Sequence, residues 1–225
     1  MSGHKRKRGA GQILYDMKHV LVGVLCLIMI LLLIVAVTRH RTSASVRTVT
    51  EISEESVEAH TPDFEVELLT VNEYSRPGIA LEEVNGIVIH YTANPGTSAE
   101  ANRDYFEGLK DSHETKASAH FIVGLEGEIV QCIPTAEIAY ASNDRNSDTL
   151  SIECCYENED GSFNQATYDS VIHLTAWLCA KFGLTSDDVM RHYDITGKLC
   201  PVYYVENPDA WEQFLADVDA YLASM

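Results

Sequence analysis

The run IVIHYT, residues 87–92, lies between two turn-forming segments, Asn85-Gly86 and Asn94-Pro95-Gly96. A short apolar run that is rich in β-branched residues and bounded by such turns predicts a buried strand. His90 stands near the end of this strand, where an imidazole can face a cleft. Taken alone, a histidine in this position is more often a hydrogen-bonded structural group than a metal ligand. The run therefore predicts a buried strand whose end borders a cleft.

Further strands and helices alternate along the chain after this run. The segment Gln165–Phe182 has one apolar face and is followed by Gly183, a typical helix stop. Glu126-Gly127 separates two short apolar runs and predicts a hairpin. This alternation predicts an α/β fold with a single mixed β-sheet flanked by helices. The predicted strands are residues 86–92, 119–124, 128–133, 149–156 and 189–193, and the predicted helices are residues 98–111, 165–182 and 209–222.

A second informative segment is RHYDITGKLCP, residues 191–201. It supplies His192 and Cys200, which together with His90 offer two imidazoles and one thiolate. Three ligands of these types suit a catalytic zinc site, in which the fourth position stays open for water or substrate. A structural zinc site more often has four protein ligands in C-x-x-C pairs, and this chain has no C-x-x-C. A buried, unligated thiol remains the alternative for Cys200.

Four segments, in this order, resemble the zinc-dependent N-acetylmuramoyl-L-alanine amidases of the type 2 class. The same superfamily contains the amidase-type phage lysozymes and the peptidoglycan recognition proteins. The resemblance extends from about residue 68 to about residue 218. The segments are SRPGIALEEVNGIVIHYTANPGTSA (75–99), ASAHFIVGLEGEIVQCIP (117–134), NSDTLSIE (146–153) and RHYDITGKLCP (191–201).

The resemblance implies a peptidoglycan hydrolase that cleaves the amide between N-acetylmuramic acid and L-alanine of the stem peptide. It also implies that His90, His192 and Cys200 bind Zn²⁺. Two neutral imidazoles and one thiolate leave such a site with a net charge of +1. A water bound there has a pKa lowered toward about 7 and becomes a usable nucleophile.

Two more residues match catalytic positions of the family. Lys198 matches the residue that stabilises the oxyanion of the tetrahedral intermediate, a task for a pre-placed cation. Glu153 matches an acidic residue that some members use as a general base on the zinc water. A structural, hydrogen-bonding carboxylate is the alternative for Glu153, and an ordinary solvated lysine is the alternative for Lys198.

The sequence departs from the family at two places. Phage-type members have a catalytic tyrosine where this chain has Ala119, so we expect its role to pass to another group, such as Glu153. Many members have Trp-His where this chain has Tyr140-Ala141, which changes the expected substrate contacts. The residues predicted to line the sugar–peptide groove are Tyr91, Thr92, Asn94 and His120.

Two other functions fit the same pattern. The first is a peptidoglycan-binding module without catalysis, although non-enzymatic relatives usually lose the cysteine ligand. The second is a zinc hydrolase that acts on a different amide.

The N-terminal part of the chain predicts a membrane anchor. Residues 1–19 form a basic tail, and residues 20–37 form an apolar run without a charge. Eighteen helical residues extend about 27 Å, close to the thickness of the hydrocarbon core. The basic excess before the run places the N-terminus in the cytoplasm of a bacterial cell and the C-terminal domain outside. A cleaved signal peptide with a site around Ser43-Ala44-Ser45, and hence a secreted protein, is the alternative.

These features divide the chain into four parts: a cytoplasmic tail (1–19), a transmembrane helix (20–38), a polar stalk with little fixed structure (39–62) and the amidase domain (63–225). Residues 1–47 contain eight Lys/Arg and one acid, which gives them a net charge of +7. The whole chain has a net charge of −18, so residues 48–225 have a net charge of −25. Such an acidic domain excludes nucleic acid as a partner, because phosphate binding needs a basic surface. We expect the thiols of Cys132, Cys154, Cys155 and Cys179 to be free and buried.

Overall fold

The computed structural model describes Met29 and the continuous range Ile52–Met225. The latter range forms one compact unit. It contains all the predicted helices and strands, together with four elements that the sequence analysis did not predict. In chain order they are α1 (Glu54–Ala59), β1 (Glu65–Val66), β2 (Ile87–Tyr91), α2 (Ala99–Ser112), β3 (Phe121–Val123), β4 (Ile129–Gln131), β5 (Leu150–Cys154), α3 (Gln165–Phe182), β6 (Val189–Arg191), α4 (His192–Thr196), α5 (Val202–Glu206) and α6 (Pro208–Leu222).

The six strands form one mixed sheet in the order β1-β4-β3-β5-β2-β6. Only β3 and β4 pair in antiparallel fashion, as the predicted hairpin requires. Strand β2 pairs in parallel with β5 on one side and with β6 on the other. The carboxyl ends of β5, β2 and β6 therefore meet at one edge of the sheet, where open α/β sheets commonly bind ligands.

Helices cover both faces of the sheet, and the sheet separates the core into two clusters. Along β3, Phe121 and Val123 point to one face and Ile122 points to the other, as the period of a strand dictates. The first cluster joins the sheet to α3 and α6, and the second joins it to α2. The predicted fold class, a single mixed sheet flanked by helices, is confirmed.

Side chains cap the long helices α2 and α3 at their N-termini, and α3 ends at the predicted Gly183. The side chain of Ser98 accepts a hydrogen bond from Ala101 N at the start of α2. Asn164 caps α3 in the same way, and Gly183 ends it with a left-handed φ of 69°. Side-chain caps of this kind satisfy backbone N–H groups that have no partner within the helix. Local sequence therefore determines the start of both helices and the end of α3.

The prediction of little fixed structure across residues 39–62 is wrong for α1. Ser53 accepts a hydrogen bond from Ser56 N and caps this helix, and two glutamates occupy its first turn. Acidic side chains near a helix N-terminus are stabilising. Val57 packs against the core, and the carbonyl oxygen of His60 lies 2.8 Å from Nε2 of His173 on α3. Tertiary contacts therefore stabilise a segment that shows no sustained apolar periodicity.

The last predicted strand is shorter in the structure than in the sequence analysis. It ends at Arg191 rather than at Tyr193, and His192 is already the first residue of α4. The carboxylate of Asp194 accepts hydrogen bonds from the backbone N and the guanidinium of Arg191. This local capping starts a helix at the last two positions of the predicted strand.

The predicted tail and transmembrane helix, and the stalk up to residue 51, lie outside the described residues apart from Met29. Within the described part of the chain, no helix combines the length and the hydropathy of a membrane-spanning segment. Four cysteines in this part are free of disulfides and buried, as predicted: Cys132, Cys154, Cys155 and Cys179. Cys200, the predicted metal ligand, is also buried and forms no disulfide.

Candidate metal and catalytic site

Three side chains that commonly bind zinc converge at the carboxyl edge of the central strands. One ligand atom from each of His90, His192 and Cys200 lies within 4.8 Å of the others. The Cys200 Sγ atom is 3.8 Å from Nδ1 of His90, and the two imidazole centroids are 4.7 Å apart. A tetrahedral zinc ion separates its ligand atoms by roughly 3.3–3.8 Å. The three residues therefore need only small adjustments to hold one ion.

Helix α4 and the tight loop that follows it carry two of these residues, His192 and Cys200. The αL conformation of Gly197, with φ 77°, ends α4. The backbone N–H of Tyr193 then donates to the carbonyl oxygen of Cys200 over 3.0 Å. The chain therefore turns back on itself between His192 and Cys200 and brings the thiol next to the imidazole.

The imidazole nitrogens face two different environments. Nε2 of His90 lies 3.4 Å from Ser142 Oγ, and Nε2 of His192 lies 3.0 Å from Asn143 Oδ1. Nδ1 of His90 faces the thiol. Nδ1 of His192 is buried and has no hydrogen-bond partner within the described residues. A buried polar atom without a partner is costly, and a metal ion at the centre of the three residues would satisfy it.

Burial sets the protonation of these groups. It lowers the pKa of His90 well below its ordinary value, and the nearby His192 and Lys198 act in the same direction. Burial and Lys198 also lower the pKa of His192. Both rings are therefore neutral, which is the form that binds metals. Burial raises the pKa of the Cys200 thiol to about 12, so metal binding must release a proton from it.

Glu153 occupies the next strand at the same level as His90. The two residues are register partners across β5 and β2, and both line the same groove. Oε2 of Glu153 is buried without a hydrogen-bond partner in the described part of the chain. Burial raises the pKa of this carboxyl to about 8, although the positive charge of Lys198 opposes the shift. A carboxyl with this pKa can exchange a proton near neutral pH.

The groove above these residues has a volume of about 420 Å³. Lys198 is exposed and lines it next to Glu153 and the three predicted ligands. The groove wall also contains Lys116, whose Nζ lies 5.4 Å from the ring centroid of Tyr140. The groove thus combines a buried carboxyl, two cations and a candidate metal site.

The four residues predicted to bind substrate lie in different parts of the structure. Tyr91 lines the groove. Thr92 follows it and donates its backbone N–H to Cys154 O, whereas Asn94 is exposed in the next turn.

His120, the fourth predicted substrate residue, is not in the groove wall, in contrast to the prediction. Its ring is buried and accepts at Nδ1 from Ser151 N over 3.0 Å. Nε2 lies 2.9 Å from Glu137 O. Both nitrogens are therefore engaged within the fold. Burial lowers the pKa of this histidine to about 4, so its ring is neutral near pH 7.

Sequence reasoning missed Ser142 and Asn143, although they contact the two imidazoles. Their residue types are common in turns, so nothing in their spacing distinguishes them. The departure from the family at Tyr140-Ala141 was the one signal that this segment differs here.

Comparison with known proteins agrees with this geometry. A family model described as N-acetylmuramoyl-L-alanine amidase matches residues 80–203, which is more than half of the chain. The chain belongs to this amidase family. All three predicted metal ligands and Glu153 and Lys198 lie within the match to the amidase model.

Individual amidases give the same result. The chain is 38% identical over 167 residues to the N-acetylmuramoyl-L-alanine amidase CwlL of Bacillus licheniformis, covering 68% of this chain and 46% of that protein. It is also 38% identical over 176 residues to the amidase BlyA of Bacillus subtilis, covering 69% of this chain and 46% of that one. The chain therefore spans less than half the length of these relatives.

Solved structures show the same fold. The catalytic domain of XlyA superimposes with a TM-score of 0.58 and 28% identity, covering 68% of this chain and 99% of that domain. PlyL has a TM-score of 0.61 at 21% identity, covering 70% of this chain and 98% of its own. The sheet and its flanking helices thus match nearly the full length of the two solved structures, XlyA and PlyL.

Proposed function

We propose that this protein hydrolyses the amide between N-acetylmuramic acid and L-alanine of peptidoglycan, with zinc as its cofactor. The observation that carries the proposal is the convergence of His90, His192 and Cys200 within 4.8 Å, inside the region that matches the amidase family. The relatives bear the name of this activity. The −25 charge of residues 48–225 separately argues against a polyanionic substrate such as nucleic acid.

The donor set supports zinc rather than a harder metal. Two imidazoles and a thiolate suit Zn²⁺, whereas Mg²⁺ and Ca²⁺ prefer oxygen ligands. Three protein ligands leave one position open, as in catalytic zinc sites. When bound there, the ion supplies a Lewis acid for the amide carbonyl and a water of lowered pKa.

The chain's own residues complete the chemistry. Glu153 accepts the proton that the attacking water loses, and this proton is then available to the departing alanine nitrogen. Lys198 places positive charge beside the carbonyl oxygen, where negative charge develops. Both side chains line the groove next to the three ligands, which supports these roles.

One digestion experiment tests the reaction. Purified peptidoglycan is treated with the protein, and the new chain ends are identified by mass spectrometry. We expect stem peptides with a free N-terminal L-alanine and glycan strands with unsubstituted muramic acid. Cleavage between sugars, or within the stem peptide, would refute the proposal.

Matched cysteine variants test the metal site. Cys200→Ala should abolish cleavage and lower the zinc content from about one ion per chain to near zero, because a soft thiolate ligand is lost. Cys179→Ala is the control. Cys179 is also a buried cysteine without a disulfide, but it lies on α3, and its thiol donates to the carbonyl oxygen of Thr185. Equal zinc content in the two variants would contradict the proposed ligand set.

We further propose that residues 20–38 anchor the protein in a bacterial cell membrane, with the amidase unit outside. The apolar run at residues 20–37 and the Lys/Arg excess before it support this arrangement. The full-length protein should stay in the membrane fraction after a high-salt wash and be accessible to external protease. A mature protein that begins after Ser43 or Ala44 would show a cleaved signal peptide instead.

A further inference from the structure

The segment Ser142–Asn143 contacts both candidate histidine ligands from behind. Asn143 begins a 3₁₀ turn, Asn143–Arg145, that packs beside α4, the helix that begins at His192. Its Oδ1 atom is 3.0 Å from Nε2 of His192. The preceding residue, Ser142, is fully buried and places Oγ 3.4 Å from Nε2 of His90. Two consecutive residues therefore reach the two rings on the sides that face away from the thiol.

The chemistry of the amide fixes the direction of the Asn143 contact. An amide oxygen can only accept a hydrogen bond, so Nε2 of His192 must carry the ring proton. A neutral imidazole has one such proton, which leaves a lone pair on Nδ1. That atom is buried and has no partner among the described residues. The opposite tautomer would bury an N–H group at Nδ1 without an acceptor and would also lose the bond to Asn143.

We propose that Asn143 is a positioning residue that holds His192 as the Nε2–H tautomer and so presents Nδ1 to the metal ion. Ser142 supports the same orientation of His90. Its hydroxyl can accept from Nε2 of that ring while Nδ1 faces Cys200 Sγ at 3.8 Å. Partners behind a ligand commonly set its tautomer and orientation in metal sites.

Position 143 makes two demands on the residue that occupies it. Its φ is 53°, in the left-handed region, which asparagine and aspartate tolerate better than other non-glycine residues. Its side chain must also reach His192 as an acceptor. Asparagine satisfies both demands, and aspartate does as well. Glycine satisfies only the first.

The turn is held in place by its own hydrogen bonds. Oδ1 of Asn146 accepts from Ser142 N over 2.6 Å and from Ala141 N over 3.0 Å. The backbone N–H of Asn146 donates in turn to Asn143 O over 3.1 Å. The acceptor for His192 is thus positioned by the fold and does not depend on a bound ion.

The first test uses the full-length, metal-free protein in detergent micelles. Two-bond ¹H–¹⁵N correlation spectra of ¹⁵N-histidine-labelled protein distinguish the two imidazole tautomers, and the His192→Asn spectrum assigns the signal. We expect His192 to be the Nε2–H tautomer in the wild type and in Asn143→Asp, and a mixture of tautomers in Asn143→Gly. A wild-type Nδ1–H tautomer, or an unchanged tautomer in Asn143→Gly, would overturn the proposal.

The second test measures zinc affinity by competition with a chromophoric chelator. Asn143→Gly should weaken zinc binding about 10–100-fold, the usual effect of losing such a partner, while Asn143→Asp should stay within a few-fold of the wild type. Thermal unfolding of the metal-free variants checks that both are folded. Wild-type zinc affinity in a folded Asn143→Gly protein would refute the role of Asn143.

This inference rests on the proposed metal site, but the two can fail separately. A wild-type protein that binds zinc and shows the Asn143 effects, yet releases no alanine ends, would refute the proposed function and leave the role of Asn143 standing. If the wild-type protein cleaves peptidoglycan as proposed, but Asn143→Gly leaves the zinc affinity unchanged, the role of Asn143 is refuted and the proposed function stands.

Discussion

At the scale of single residues, Glu153 is the group whose role was most open. A structural carboxylate would be expected to accept hydrogen bonds from its surroundings. Its buried Oε2 atom has no such partner in the part of the chain that the structure describes, and the residue lines the groove beside His90. These observations favour the proton-transfer role over the structural one.

Replacing Glu153 should therefore affect turnover and not metal content. Glu153→Gln keeps the shape of the side chain and removes the base, so kcat should fall about 10²–10⁴-fold. Zinc content, measured by atomic absorption, should stay at the wild-type level. Near-normal turnover of this variant would assign proton transfer to another group.

Lys198 should act on the same step through its charge. Lys198→Ala removes a cation beside the developing oxyanion and should lower kcat about 10²–10³-fold, with little change in KM. The control is Lys181→Ala on α3, whose ammonium lies 4.5 Å from the ring centroid of Trp177 behind the sheet. A large loss in the control, or none in Lys198→Ala, would contradict this role.

At the scale of elements, α2 holds the chain segment that follows β1. Glu107 on this helix accepts hydrogen bonds from the backbone N and the hydroxyl of Thr70, at 2.9 and 2.7 Å. Nη2 of Arg103 is 3.3 Å from Leu68 O. Burial alone would raise the pKa of Glu107, but the bonds from Thr70 and Lys110 outweigh it and hold the pKa at about 2.

This shift predicts a pH-dependent contribution of Glu107 to stability. Because the folded pKa lies below the ordinary value of 4.5, the contribution is full above about pH 4.5 and disappears as the pH falls toward 2. Glu107→Gln should lower the free energy of unfolding by at most about 3 kcal/mol at pH 7, and by less at pH 3. Urea unfolding at both pH values measures this, with the exposed Glu83→Gln as control. A constant difference at the two pH values would contradict it.

Two elements show where sequence patterns succeed and where they do not. The ends of α3 follow from Asn164 and Gly183, whose effects are local. Helix α1 is only six residues long, too short to be stable alone, and its packing partners on α3 are more than a hundred residues away along the chain. The Asn143 contact was unpredictable for the same reason, since it depends on the position of His192. Local signals therefore predicted the sheet, and family motifs pointed to the three side chains that the fold brings together, whereas non-local contacts determined the rest.

At the scale of the whole molecule, the amidase unit begins before the predicted boundary at residue 63. A chain that starts at Ile52 should be more stable than one that starts at 63, by about 2 kcal/mol or more, since the shorter chain lacks Val57 and its packing against the core. The fluorescence of Trp177, which lies beside α1, should shift to longer wavelength in the shorter chain. Equal thermal midpoints for the two chains would show that α1 does not contribute. Val57→Ala in the longer chain provides an intermediate comparison.

The distance along the chain between His90 and Cys200, 110 residues, has a consequence for biosynthesis. The first imidazole is made 110 residues before the thiol. A nascent chain in which Cys200 is still inside the ribosome cannot bring the two together, and neither can a product that terminates before Cys200. Each such polypeptide lacks a complete proposed metal site, so the lytic activity that we propose begins only after Cys200 has left the ribosome and packed beside His90.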